Sequence, residues 1–247
     1  LQRAYWLGRT DAFALGGIAS RAYLELEAPA LDSRRLESAW NTLVRRHDML
    51  RVIIEDGNQR VLADVPDYRI ARRDLQNVAR TELEAALDRI YEDMLRTLRD
   101  PAEWPLFDVQ ASLLPGGAVR LHVVYDLLNV DGGSIAVLFH EWAQLYRDPE
   151  QRLPPLELTF RDYVLDERRR ETSPEYERAR AYWRERLVDL PPAPDLPLAQ
   201  TPNAVGAPRF RRESAALGAE TSDRLRGAAR RLGVSPPALF LTAYAEI

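Results

Sequence analysis

Two aspartates bracket a short loop in the stretch Leu121-His122-Val123-Val124-Tyr125-Asp126-Leu127-Leu128-Asn129-Val130-Asp131-Gly132-Gly133-Ser134. Asp126 ends an apolar run, a costly place for a carboxylate unless it meets water, a partner or a ligand. It can donate a proton near neutral pH only if burial or a second carboxylate raises its pKa well above the ordinary value of about 3.9. Asp131 stands where it can cap a following helix by accepting from the amide near Ser134, worth roughly 1 kcal/mol. Ser134 orients the loop or caps the same helix. Gly132 and Gly133 remove side chains there, which either admits a thin ligand arm close to the backbone or only eases a tight turn. The three histidines, His47, His122 and His140, read as structural. His140-Glu141 lacks the second histidine of a helical zinc site, so no metal is expected. Neither a G-x-S-x-G elbow nor a glycine-rich phosphate loop occurs.

The elements that must position this loop follow from hydrophobic spacing. The strand before it pairs with another: Leu106 to Leu113 and Ala118 to Tyr125 alternate on either side of Leu114-Pro115-Gly116-Gly117, a hairpin signal. The helix after it, Gly133 to Tyr146, sets Ile135, Leu138, Phe139, Trp142, Leu145 and Tyr146 on one face. Upstream, residues 20 to 27 alternate as a half-buried strand, and Asp32 N-caps a helix with Leu36, Trp40, Leu43 and Val44 on one side. Leu50 to Glu55 and Gln59 to Leu62 flank Asp56-Gly57-Asn58 as a second hairpin. Leu83, Leu87, Ile90, Tyr91, Met94 and Leu98 make the apolar stripe of a helix over 80–99. A further helix over 174–187 carries Ala179, Tyr182, Trp183 and Leu187. It leads into a stretch, 191–208, holding six of the 17 prolines, extended by restricted φ and missing amide donors. That stretch reads as a connector between lobes, with residues 1–190 before it. Residues 209–247 open a second lobe: a strand near Phe210 to Leu217, a helix near Glu220 to Leu232, and a helix begun by Pro236 and Pro237.

The 247 residues are 46% hydrophobic and 29% charged, enough for a full core. A net charge of -4 provides no basic field for nucleic acid. All 34 positive charges are arginines, which excludes lysine Schiff bases. With no cysteine there is no disulfide or thiolate nucleophile, and a cytoplasmic location is the simplest expectation. No stretch reaches the roughly 20 apolar residues of a membrane span. Leu1 opens directly into a patterned aromatic stretch, and the last helical pattern stops at Ile247 without a C-cap, so the chain reads as a piece whose fold continues.

Asp126-x-x-x-x-Asp131-x-x-Ser134 resembles the signature of heterocyclization domains of nonribosomal peptide synthetases, a subgroup of the condensation-domain superfamily. Ordinary condensation domains carry His-His-x-x-x-Asp-Gly there; here Asp126 and Leu127 replace the two histidines while Asp131-Gly132 is retained. Leu1 to Arg9, Arg46-His47-Asp48-Met49-Leu50-Arg51, and Tyr182 to Leu187 followed by Leu190 to Pro194 resemble other segments of that family, in order. The resemblance implies an α/β, chloramphenicol-acetyltransferase-like two-lobed fold, with the first lobe complete and the second truncated. It implies acyl transfer from a carrier thioester to the amine of a carrier-bound Cys, Ser or Thr, then cyclodehydration to a thiazoline or oxazoline. It places Asp126, Asp131 and Ser134 at the catalytic loop, Gly132 and Gly133 along the substrate channel, and Arg51 as a structural partner for Asp131. No cofactor is bound; phosphopantetheine arms of upstream and downstream carrier domains deliver substrates, beside an adenylation domain. The isolated chain is expected to be inactive, since residues implicated in cyclodehydration also come from the second lobe. Two other readings stay open: a condensation-type acyltransferase that does not cyclize, and a noncatalytic lobe that docks carrier domains.

Overall fold

Asp32 accepts from the amides of Arg34 and Arg35 at 2.9 and 3.1 Å and starts a helix over Ser33–Arg46. It buries Leu36, Trp40, Leu43 and Val44 at the expected spacing. This is α2; before it come α1 (Gln2–Gly8) and strand β1 (Arg21–Ala28). After it run β2 (Val52–Glu55), β3 (Asn58–Val61), β4 (Ala71–Asp74), α3 (Arg80–Arg96), β5 (Phe107–Leu113), β6 (Val119–Asp126), α4 (Gly132–Arg147), α5 (Phe160–Arg170) and α6 (Pro174–Arg186). The computed structural model describes all residues except 1, 11–15, 98, 193–196, 202–203, 206–214 and 247.

Contacts divide the chain into two units, Leu1–Ala207 and Pro208–Ile247. In the first, four strands form one sheet in the order β1-β6-β5-β4, antiparallel except for the parallel β4–β5 pair. Strand alternation divides its side chains. Val119, Leu121, Val123 and Tyr125 of β6, with Phe107, Val109 and Ala111 of β5, join the main core, where α2 and α4 pack on the sheet. Trp40 is fully buried there, 4.6 Å ring to ring from Trp142, whose indole N–H donates to the Leu36 carbonyl at 3.0 Å. Val124 faces the other way and packs with Ile90 and Met94 of α3.

The Asp56-Gly57 turn has positive φ at both residues, 49° and 75°, as a two-residue hairpin between β2 and β3 requires. The expected run from Leu50 instead begins with a 3₁₀ turn over Asp48–Arg51. β2, with Leu106 and Leu128, makes a second small core against Tyr5, Trp6 and Met49. The stripe residue Leu98 lies outside the described residues, and α3 is assigned only to Arg96. β4 and α5 were not anticipated. β4 is an exposed edge strand, Ala-Arg-Arg-Asp, without apolar alternation. α5 has a capping box, Thr159 with Asp162, which the sequence displays openly. Tyr182 and Trp183 of α6 and its C-cap residue Leu187 are exposed.

The second unit contains α7 (Ala219–Leu232), ended by Gly233 at φ 67°, and α8 (Pro236–Ala245), whose N-cap Ser235 accepts from the Ala238 amide. Most of the strand-like run near Phe210 lies outside the described residues; its described part, 215–217, is not in a strand.

Candidate active site

Asp126 is 5% exposed at the end of β6. Its Oδ2 is ion-paired with the Arg9 guanidinium just beyond α1, and its Oδ1 accepts from the Leu128 amide at 3.0 Å. Arg9 also donates to the Arg99 carbonyl at 2.7 Å, and Gln2 of α1 donates to the Leu128 carbonyl at 2.8 Å. The loop after β6 is therefore clamped from both ends of the α1 segment. Arg21 donates to the carbonyls of Met94 and Leu95 near the end of α3, where burial lowers its pKa against the pull of Asp126. Arg99 stands 3.7 Å from Asp108. Asp126, Arg21, Arg99, Asp108 and Met94 line a cavity of about 20 Å³, room for about one water. On the same face of β6, fully buried His122 bridges Ser112 Oγ at 2.9 Å and Tyr23 Oη at 2.7 Å. Burial pushes its pKa down to about 4, against the pull of Glu25 and helped by Arg120.

The other end of the loop is open. Asp131 is exposed and N-caps α4, accepting from the Ser134 amide at 2.7 Å; that bond holds its pKa below the usual carboxylate range. A Cβ on Gly132 would touch nothing within 4 Å, and one on Gly133 would make only ordinary contact with Asp131 at 3.5 Å. Both lie inside α4, without the positive φ of a tight turn, so the turn explanation does not account for them. Ser134 lines a cavity of about 550 Å³ together with Asn129, Met49, Val137, Leu158 and Phe160. His47 lines it too, its Nε2 2.7 Å from Glu141, which also pairs with Arg46 at 3.1 Å. Asn129 is 4% exposed; its amide nitrogen donates to the Met49 carbonyl at 3.1 Å, and its Oδ1 has no partner among the described residues.

The structure does not gather the sequence-selected residues at one point. Asp126 belongs to the α3 side of the sheet, whereas Ser134 belongs to the cavity beside α4 and the end of α2. Arg51 holds the end of α2 through the Val44 carbonyl at 2.7 Å, and its carboxylate partner is Asp48 at 2.8 Å, not Asp131. Asp131 already spends an oxygen on the helix cap, whereas Asp48 is one helical turn from Arg51. Sequence reasoning missed Arg9, Asn129 and Glu141. A buried carboxylate demands a cation, but with 34 arginines the pattern singles out none. Among the described residues, no three His, Cys, Asp or Glu side chains are placed to hold a metal ion, and no helix is long and apolar enough to cross a membrane.

The Condensation domain family model matches residues 18–246. The chain belongs to the condensation-domain family. It is similar to pyochelin synthetase PchF of Pseudomonas aeruginosa, 40% identical over all of this chain and 14% of that protein. It is also similar to phenyloxazoline synthase MbtB of Mycolicibacterium paratuberculosis, 34% identical over all of this chain and 21% of that protein. Among solved structures, the EpoB nonribosomal peptide synthetase cyclization-docking bidomain from Sorangium cellulosum superposes with a TM-score of 0.84 at 36% identity, over 99% of this chain and 50% of that one. The chain thus spans a small part of these curated relatives and half of the bidomain. Its mixed α/β architecture is that of this family, with the sheet and helices of a chloramphenicol-acetyltransferase-like lobe.

Proposed function

We propose that the chain is part of a heterocyclization domain of a nonribosomal peptide synthetase. It would join a carrier-bound acyl thioester to a carrier-bound Cys, Ser or Thr and close the product to a thiazoline or oxazoline. The observation that carries this reading is the buried carboxylate of Asp126 at the position where amide-forming condensation domains have a histidine. The similarity to an oxazoline synthase and to a cyclization bidomain supports it. The amine nitrogen attacks the thioester carbonyl, the C–S bond breaks, and the thiol leaves with the amine proton. Because a thioester is already activated and an α-amine of pKa near 8 is partly neutral, holding the two together supplies much of the rate. The side-chain sulfur or oxygen then attacks the new amide carbon, and that carbon's oxygen departs as water as a C=N bond forms. This second step needs a proton donor.

Within this chain Asp126 is ill suited to be that donor, since a guanidinium and an amide engage its two oxygens; it acts as a positioning residue that fixes the loop. Asp131, exposed at the end of the loop, and Ser134, in the first turn of α4 on the cavity wall, are the groups a reactant can reach, and Gly132 and Gly133 leave the approach open. Upstream and downstream carrier domains would deliver their substrates on phosphopantetheine arms, next to an adenylation domain, in the cytosol. The lobe division at 1–190, 191–208 and 209–247 belongs to the same reading. The test is the mass of the product released by the complete synthetase module: one water lighter than the open amide is expected, and an open amide alone overturns the proposal.

A further inference from the structure

A one-way chain of hydrogen bonds lies on the α3 side of the sheet. Tyr23 donates its single hydroxyl hydrogen to the Glu25 carboxylate at 2.6 Å, so toward the His122 ring, 2.7 Å away, it accepts. That puts the imidazole hydrogen on Nδ1 and leaves Nε2 to accept from Ser112 Oγ at 2.9 Å. Ser112 and His122 are both fully buried. The arrangement suits a neutral ring and not a charged one. A second ring hydrogen, on Nε2, turns the Ser112 hydroxyl round, and its own hydrogen gives up its acceptor in an enclosed place. Glu25 of β1, 3.8 Å from Nδ1, draws a proton to the ring, whereas Arg120 of β6, paired with Glu27 at 2.8 Å, opposes a second cation. β5 contributes the Ser112 hydroxyl. From α3, Tyr91 stands edge-on to Tyr23 at 4.8 Å, and Glu84 acts on Arg120.

The two faces of the sheet are covered unequally. On one lies the main core of twenty buried residues. On the other, Ile90 and Met94 of α3 pack with Val124, the next residue after His122 on that face of β6, and this cluster has three buried members, with Tyr23 and Leu75 beside them. Arg21 ties the end of α3 through the Met94 and Leu95 carbonyls. A buried imidazolium draws in water, and α3 is the thinner cover. We propose that the Ser112–His122–Tyr23–Glu25 chain is an acid-sensitive latch: a proton taken up at His122 releases α3 from the sheet while the main core stays closed. α3 also supplies Met94 to the small cavity beside Asp126, so the same opening uncovers the anchored end of the loop after β6. The latch is independent of the reaction the chain serves.

The test is amide hydrogen exchange of the complete synthetase module, read peptide by peptide by mass spectrometry at a series of pH values and corrected for the intrinsic pH dependence of exchange. Amides of α3 (Arg80–Arg96) should exchange through an opening more frequent than the one that exposes Leu36 to Val44 of α2. Burial pushes the His122 pKa down to about 4 in the closed state, against an ordinary 6.5 once the ring is wetted, so the opening equilibrium of α3 should rise about twentyfold from about pH 7 to about pH 5. His122→Gln, whose amide can keep one accepting and one donating bond, should remove that rise. An α3 opening insensitive to pH overturns the inference, because the helix then parts from the sheet without uncovering the ring. So does α3 exchange at the same opening equilibrium as α2, which is unfolding of the whole lobe. Both outcomes are read on the wild-type module and stand whether or not the variant folds. A rise that survives in folded His122→Gln assigns the proton to another group and overturns the latch as well.

Discussion

The two ends of the loop between β6 and α4 are built on opposite principles. At the β6 end, charges are engaged by one another or by backbone carbonyls: buried Asp126 on Arg9, Arg99 near Asp108, and Arg21 on the last turn of α3, around a space of about 20 Å³. At the α4 end the walls are mostly apolar, with Ser134, Asn129, Thr159 and the run Arg46-His47-Asp48 as the polar groups, and the space is about 550 Å³. Buried ion pairs are strongly destabilizing to break and give geometric fixity. Open, weakly polar cavities tolerate change and accept ligands. The motif that signals chemistry in the sequence therefore divides into an anchor and an opening, and its most suggestive residue belongs to the anchor.

The sharpest way to break this contrast is Arg9→Ala. It leaves the Asp126 carboxylate buried without its cation, and a loss of about 3–5 kcal/mol in urea unfolding is expected; a loss below about 1 kcal/mol would place Arg9 with ordinary surface pairs. Next comes pH. His122 is neutral in the fold, with a pKa near 4 against an ordinary 6.5, so the unfolded chain binds the extra proton first. Stability falls as pH drops from about 6.5 to about 4, by up to about 3 kcal/mol, and this contribution is level below that window. His122→Gln should flatten that part of the stability curve, measured by unfolding at a series of pH values. Asp131→Ala removes only a helix cap and should cost about 1 kcal/mol, with Asp131→Asn restoring most of it. Val137→Ser, on the open wall, should stay within about 0.5 kcal/mol in the same assay; a larger loss would mean that the cavity wall is a packed surface.

Elements with strong periodicity were legible in the sequence because their apolar faces meet the core directly: Leu36, Trp40 and Leu43 on α2, and Ile135, Leu138 and Trp142 on α4, all become buried. The caps Asp32 and Asp131 were legible for a local reason, since a cap needs only the amides two or three residues on. Edge strand β4 was not, because it gains its place from backbone pairing with β5 and not from its side chains. The site was half legible. Loop residues announced themselves by type and spacing, whereas Arg9, Asn129 and Glu141 act through partners 117, 80 and 94 positions away. Such pairings carry no local pattern. The sequence allowed Asp126 a proton-donating role only on the condition that burial or a second carboxylate raised its pKa, and what it could not reveal was the guanidinium beside it.

The most direct measurement is the product mass from the complete module carrying Arg9→Gln together with Asp126→Asn. The amide pair can keep the clamp on the loop and the bond to the Leu128 amide, yet it has no acidic proton to give. If Asp126 is an anchor, the folded double variant still releases the cyclized product. Release of open amide alone, from a module that folds as stably as the wild type, would contradict that and return the acid chemistry to Asp126.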